Sequence, residues 1–206
     1  MSVLGIIPAR AGSERCPGKN MAVVGGKSLI ERAVDAAQAS NIFDRLVIST
    51  DLPLVGPCDI ISRPPELATA QAEMIDVVRH VAKVCPGVFI VLLQPTSPFR
   101  TALDIIEAYN LLYYQAGTAV VSVTEPQKDS VFAIGHAGRL RPYTGSGVVV
   151  PNGALYLITR AHLEAGGDWY NGITYAYSMP KSRSLDIDTP LDLEIARMMV
   201  KERAAA

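Results

Sequence analysis

The chain has 206 residues, 49% hydrophobic and 19% charged, with 19 basic against 20 acidic side chains and a formal net charge of −1. That length suits one α/β domain over residues 1–206 with a sizeable core, and the composition is globular rather than disordered. The near-neutral balance gives no reason to expect nucleic acid or a membrane surface as partner, so any anion site has to be a local cluster.

Val3-Leu-Gly-Ile-Ile-Pro8 reads as a buried strand, and a polar loop with glycines and a proline follows from Ala9 to Asn20. Ser28 to Ser40 reads as a helix, because Leu29, Ile30, Ala33, Val34 and Ala37 recur at helical spacing and Ser28 with Glu31 fits a capping box. Arg45 to Thr50 is the second strand, and Thr69 to Val84 contains the next helix. Between them, Pro53, Gly56 and Pro57 argue against any helix. The unbroken apolar run Val88 to Leu93 predicts a central strand. A loop from Gln94 to Arg100 leads into a helix from Thr101 to about Ala116, with Thr101 and Asp104 as its capping box. Ala119 to Val123 is a further strand. Residues 125–150 break the alternation and read as an excursion, either a lid or a dimer contact. Strands follow at Ala154 to Ile158 and Ile173 to Met179. Thr189, Pro190 and Asp192 occupy N-cap, N1 and N3 of a last helix.

Alternating strands and helices predict a three-layer α/β fold with a mostly parallel central sheet. Right-handed crossovers gather the strand-to-helix loops on one edge, where ligands bind. The loop after the first strand lies there and carries Arg10, Arg15 and Lys19, with Gly12 and Gly18 to turn backbone N–H groups toward an anion. Such a loop suits a triphosphate. It lacks the GxGxxG of dinucleotide sites, and its spacing does not fit the P-loop pattern of GxxxxGK followed by Ser or Thr, so a Rossmann dehydrogenase and a P-loop kinase are disfavoured. In Ser184-Leu-Asp-Ile-Asp-Thr-Pro190, an extended backbone puts Asp186 and Asp188 on one face and Leu185 and Ile187 on the other. Two carboxylates on one face suit a hard divalent cation such as Mg²⁺. Cys16, Cys58 and Cys85 are odd in number and widely spaced, which speaks for reduced thiols in a cytoplasmic protein. No apolar run reaches the ~20 residues of a membrane span. His80, His136 and His162 show no metal-like spacing.

Ile7-Pro-Ala-Arg-Ala-Gly-Ser13 and Pro17-Gly-Lys-Asn20 resemble the opening signature of the acylneuraminate cytidylyltransferase family, the CMP-sialic acid synthetases and their relatives. Leu92 to Arg100 resembles that family's LLQPTSPLR block, Ser62 to Ala68 its RPxELA segment, Asn152 to Tyr156 its NGAIY strand and Ser184 to Leu193 its SIDIDTxxDL block. The resemblance implies the nucleotide-diphospho-sugar transferase fold and the joining of CMP from CTP to a nonulosonic, sialic-type acid, with release of pyrophosphate and with Mg²⁺ as cofactor. It implies that Ala9, Arg10, Gly12, Ser13, Lys19, Asn20 and Arg63 hold the nucleotide, that Gln94 and Asn152 face the sugar, and that Asp186 and Asp188 hold the metal. Arg10, Lys19, Gln94, Asp186 and Asp188 are the residues it makes catalytic. A homodimer is also implied. Arg15 falls at a variable position of the family and receives no role. Family members of the sialic type carry arginines before the Asn of the NGAIY strand, whereas Gly145 to Pro151 has no cation. Arg139 and Arg141 are the substitutes nearest in sequence. Ala70, Gln71 and Met74 depart from the family near the base. These departures keep two alternatives open: a related transferase for another nucleotide, a Kdo-type acid or a sugar phosphate, and a nucleotide-binding protein without catalysis. Trp169 and Tyr170, in a glycine-rich loop, read as packing residues before a sugar wall.

Overall fold

In the computed structural model, residues 2–56, 58–126, 132–134, 140–142 and 147–205 are described. The elements run β1 (Val3–Ala9), β2 (Val23–Val24), β3 (Lys27–Ser28), α1 (Leu29–Ser40), β4 (Arg45–Thr50), β5 (Asp59–Ser62), α2 (Met74–Val84), β6 (Phe89–Leu93), α3 (Ala102–Tyr114), β7 (Ala119–Thr124), β8 (Phe132–Ile134), β9 (Leu140–Pro142), β10 (Val150–Thr159), α4 (Arg160–Glu164), β11 (Thr174–Ser178) and α5 (Pro190–Ala205).

The main sheet has seven strands in the order β11-β7-β10-β6-β1-β4-β5. The pairs β1–β4, β1–β6, β4–β5 and β7–β11 are parallel, and β10 runs antiparallel to both β6 and β7. A sheet buried on both faces needs apolar residues at odd and even positions alike, which is why β1 and β6 are continuous hydrophobic runs. Ile7 and Val91 pack with Ile30, Val34 and Ala37 of α1 and Ile105, Ala108 and Leu112 of α3. On the opposite face Ile6 and Leu92 pack with Ile75, Val78 and Val81 of α2 and Leu163 of α4. A smaller cluster joins Val24, Leu29, Phe99, Ile187 and Ala196, fastening α5 to the loops at the ligand edge.

Both expected capping boxes are present. The Ser28 hydroxyl accepts from the Glu31 N–H while the Glu31 carboxylate takes the Ser28 N–H, and Thr101 and Asp104 do the same for α3. The helix expected within Thr69 to Val84 occupies Met74–Val84, and the stretch after Asp51, free of helix as read, ends in the short edge strand β5.

The chain goes from β1 outward to β4 and β5, then returns to the other side of β1 to lay down β6. Loops leaving β1 and β6 therefore part in opposite directions, and the crevice between them is the switch point where open α/β sheets bind ligands.

Candidate active site

A cavity of about 270 Å³ opens at that crevice, lined by Arg10, Ser13, Lys19 and Asn20 from the first loop, Gln94, Pro95 and Thr96 after β6, Arg63, and Asp186 and Asp188. Segments far apart in sequence thus converge on one space. Pro8, Arg15 and Met74 complete the wall.

The first loop is braced from within. The Asn20 amide donates to the Arg10 carbonyl at 2.9 Å, and the Ala11 N–H donates to Asp51 Oδ1 at 2.8 Å. Gly18 has φ 68 and caps the turn Lys19–Met21, a left-handed conformation glycine adopts without steric cost. Gly12 does not share that role: its φ is not positive, and neither it nor Ala9 lines the cavity. Ala9 ends β1 with its side chain fully in the core, a consequence of strand alternation, and Pro8 faces the cavity in its place.

Arg63 is only 3% exposed. Its guanidinium donates to the Ser49 carbonyl at 2.8 Å. Burial lowers its pKa to about 10, with Asp51 opposing and the neighbouring Arg10 charge adding to the effect. A buried guanidinium beside a second one, neither paired with a carboxylate among the described residues, creates an environment that an anion stabilises. Lys19 is engaged differently. Its Nζ donates to Asp188 Oδ1 at 3.0 Å and to the Ile187 carbonyl at 2.9 Å, and Arg15 reaches Asp188 Oδ2 at 3.3 Å. The positively charged wall therefore includes Arg15, which motif comparison alone left without a role.

Asp186 and Asp188 both face the cavity while Ile187 is buried against Val24, Leu29 and Phe99. Burial pushes the Asp186 carboxyl above the usual range; the Thr96 side chain opposes this and the Asp188 charge adds to it. Asp186 Oδ1 is buried without a hydrogen-bond partner. A buried unpaired carboxylate oxygen beside a second carboxylate fits a hard cation. No group of three or more His, Cys, Asp or Glu side chains suited to a metal occurs among the described residues, so other oxygens would have to complete its shell. Asp192 takes no part: its Oδ2 accepts from the Thr189 N–H at 2.7 Å and from the Asp188 N–H at 3.1 Å, as a helix cap.

Asn152 does not face the cavity. It is 5% exposed, its Oδ1 accepts from the Ser122 hydroxyl at 2.6 Å, and its Nδ2 donates to Ser184 Oγ at 2.9 Å. The cause is an irregularity of β10 between Pro151 and Tyr156, where the register shifts and Gly153 adopts φ 76. Such a bulge re-aims the neighbouring side chain. It also brings backbone against the site: a Cβ on Gly153 would lie 3.1 Å from Asp186 Oδ2 and 3.2 Å from Gln94 Oε1.

Across Gln94 and Met74 lies a second cavity of about 350 Å³, walled by Tyr156, Trp169 and Tyr170 with Glu73 and Asp168. The Tyr156 and Trp169 rings sit 5.2 Å apart. Burial, with the nearby Tyr170 and Asp186, pushes the Tyr156 hydroxyl up to about 12. Trp169 is buried in the core, as a packing residue should be, and together with Tyr170 it also walls this cavity; Tyr156 was missed because a single aromatic in a strand carries no signal of a cavity. Arg139 and the Arg141 side chain lie outside the described residues, as do His136 and much of the 125–150 excursion. A third cleft, between Ala37 and Asp59, lies at the opposite edge of the sheet, where Arg45 and Asp59 already pair at 2.9 Å.

Residues 4–129 match the family model described as cytidylyltransferase. The chain belongs to the cytidylyltransferase family. Within it, the chain is 31% identical to the N-acylneuraminate cytidylyltransferase of Escherichia coli over 94% of its own length and 51% of that protein's. It is 34% identical to the enzyme of the same name from Streptococcus agalactiae serotype III, over 92% and 51%. It spans about half the length of these two curated relatives. With the CMP-N,N'-diacetyllegionaminic acid synthase of Legionella pneumophila it shares 30% identity over 98% of this chain and 97% of that one. The solved structure of a CMP:2-keto-3-deoxy-manno-octonic acid synthetase complexed with CTP superposes with TM-score 0.77 at 15% identity, covering 98% of this chain and 100% of that one. The 4-diphosphocytidyl-2C-methyl-D-erythritol synthase of Anaerococcus prevotii gives 0.70 at 15% identity, over 97% and 96%. These nucleotidyltransferases share its fold. No helix among the described residues is long and apolar enough to cross a membrane.

Proposed function

We propose that this cytidylyltransferase-family chain joins CMP from CTP to a nonulosonic acid and releases pyrophosphate. The observation that carries the reading is the single cavity at the β1–β6 crevice, where Arg10, Arg15, Lys19 and Arg63 surround the carboxylates Asp186 and Asp188. The relative from Legionella pneumophila, matched over nearly its whole length, is named for a CMP-linked nonulosonic acid, which supports both the nucleotide and the sugar class.

In this reading the triphosphate lies against the first loop. Arg10 and Arg63 stabilise its charge without first leaving a carboxylate partner. Lys19 and Arg15 exchange Asp188 for phosphate oxygens as the nucleotide enters, which frees Asp188. Asp186 and Asp188 are the residues that would hold Mg²⁺, which would supply neutralisation of charge on the phosphates. Gln94, between the two cavities, can both donate to and accept from a sugar hydroxyl, and Tyr156, Trp169 and Tyr170 offer the apolar faces that acyl substituents of the sugar need. The anomeric hydroxyl attacks the α-phosphorus in line, the bond to the β-phosphate oxygen breaks, pyrophosphate leaves, and the hydroxyl proton passes to solvent. The side chains contribute positioning and charge stabilisation rather than covalent chemistry. A homodimer and a cytoplasmic location belong to the same reading. The latter is supported by the free thiols Cys16, Cys58 and Cys85.

Pyrophosphate release tests this directly, with Mg²⁺, each of CTP, UTP, GTP and ATP, and a panel of sialic, legionaminic, pseudaminic and Kdo-type acids. Release with CTP and a nonulosonic acid is expected. Release only with a Kdo-type acid, or only with another nucleotide, would replace the proposed substrate. Silence throughout, with CTP binding intact, would leave a nucleotide-binding protein.

A further inference from the structure

Both carboxylates of the site sit on backbone that is neither helix nor strand: 185–188 has no regular secondary structure. Irregular backbone holds a side chain only as well as its ends are fixed. The downstream end is secured by the main chain and by α5. The Ile187 N–H donates to the Thr96 carbonyl at 2.8 Å, Ile187 is fully buried, and Asp192 caps the helix that follows.

The upstream end is held by the short 3-10 turn Lys181–Arg183, in which the Arg183 and Ser184 N–H groups donate to the Pro180 and Lys181 carbonyls, and that turn is tied to the rest of the fold by two side-chain pairs. Arg183 donates through Nε to Asp104 Oδ2 at 3.1 Å and through a terminal nitrogen to Oδ1 at 2.7 Å. Asp104 is 0% exposed. Burial works to raise its pKa, but hydrogen bonds from Arg183, Thr101 and Tyr177 outweigh it and keep the carboxyl below its usual range. Capping α3 requires only Oδ2, which takes the Thr101 N–H and hydroxyl. Oδ1 serves Arg183 and the Tyr177 hydroxyl, the latter at 3.0 Å. The next residue, Ser184, is held from another direction, by Asn152 at 2.9 Å, and donates to the Pro180 carbonyl at 2.9 Å. Arg183 and Ser184 are therefore fastened to the start of α3 and to the bulge of β10 respectively. That same bulge presses Gly153 against Asp186 and Gln94.

A partly buried ion pair contributes little net stability, because desolvation offsets the attraction, but its directed hydrogen bonds define geometry. We propose that Asp104–Arg183 and Asn152–Ser184 are positioning pairs that set the Asp186–Asp188 stretch against Gly153 and Gln94. This inference rests on the reading of Asp186 and Asp188 as the cation-holding carboxylates. Neither pair touches the substrate cavity, so their effect is transmitted through the backbone of 183–186.

The test uses the full chain with Arg183→Gln, Arg183→Lys and Ser184→Ala. Mn²⁺ affinity in the presence of CTP is read by electron paramagnetic resonance, alongside kcat and KM for CTP and the melting curve. Loss of a residue that orients a metal ligand typically weakens metal affinity by about 10- to 100-fold. Arg183→Gln is expected to weaken Mn²⁺ binding and lower kcat on that scale while KM for CTP stays near its wild-type value, with Arg183→Lys, which keeps the charge but not the two-point fork, recovering only part of the loss. Ser184→Ala should show the same pattern to a smaller extent. A cooperatively folded Arg183→Gln with wild-type kcat and Mn²⁺ affinity overturns the proposal. Should Arg183→Gln fail to fold, Ser184→Ala decides in the same way. A wild type that binds Mn²⁺ with CTP yet releases no pyrophosphate would sink the functional reading alone, because the Mn²⁺ shift in the variants would still uphold the positioning pairs. A wild type that binds no Mn²⁺ would overturn both.

Discussion

The charged cavity and the aromatic cavity share Gln94 and Met74 as a common wall, yet they are assembled in different ways. The charged one draws Arg10, Ser13, Arg15, Lys19 and Asn20 from one loop, braced by its own hydrogen bonds. The aromatic one draws Glu73 from before α2, Leu92 from β6, Tyr156 from β10 and Trp169 from the loop after α4. The cations of the first loop are set largely by local backbone, but Arg63, Asp186 and Asp188 reach the same cavity from distant segments. The aromatic wall exists only once the sheet and helices have packed. One loop thus sets part of the charged wall, whereas the whole of the aromatic wall depends on the closed fold.

The widest separation between the two regions is expected from Asp186→Asn combined with Asp188→Asn, which should abolish pyrophosphate release while the melting curve stays cooperative. Turnover within tenfold of wild type would remove both carboxylates from the reaction. Next comes Lys19→Ala, expected to lose about 2–4 kcal/mol of transition-state stabilisation, by analogy with removal of one oxyanion donor. In kcat/KM that is roughly 30- to 900-fold. A loss below tenfold would mean that Lys19 serves Asp188 and not the nucleotide. The smallest effect should come from Trp169→Ala. Removing the ring takes away one wall of the aromatic cavity, which should raise KM for the sugar acid and leave CTP affinity unchanged. Equal weakening of CTP binding would show that the two cavities act as one.

The same contrast governs what was legible in the sequence. The helices announced themselves through apolar spacing and through Ser28 with Glu31 and Thr101 with Asp104, because a cap is made by residues three apart. The central strands were legible as apolar runs. β5 was not: Asp59–Ser62 is short and half-buried, so it lacks both the run and a clean alternation. The loops leaving β1 and β6 collect on one sheet edge, as the alternation of elements implies, whereas the expectation that Arg63, Gln94, Asp186 and Asp188 join Arg10 and Lys19 there came from the family resemblance; all six line one cavity. Asn152 went astray because a bulge reverses the direction that strand alternation assigns, and no residue type announces a bulge unless glycine is read as one. Of the two glycines of the first loop only Gly18 takes the left-handed conformation, since a glycine permits such a turn but does not compel it. Arg15 was legible as a cation of the first loop but received no role from the family motif, and Tyr156 was legible only as a strand residue; the closed fold brings both to the walls.

Because β10 runs against β7, Val150 pairs with Thr124, and the polypeptide between them departs from and returns to the same rim of the sheet. Lengthening or replacing that stretch leaves every β7–β10 hydrogen bond in place, and a doubled loop costs only about 0.6 kcal/mol more to close. A change of length or composition there can therefore alter what the rim meets while the pairing of β7 with β10 is kept.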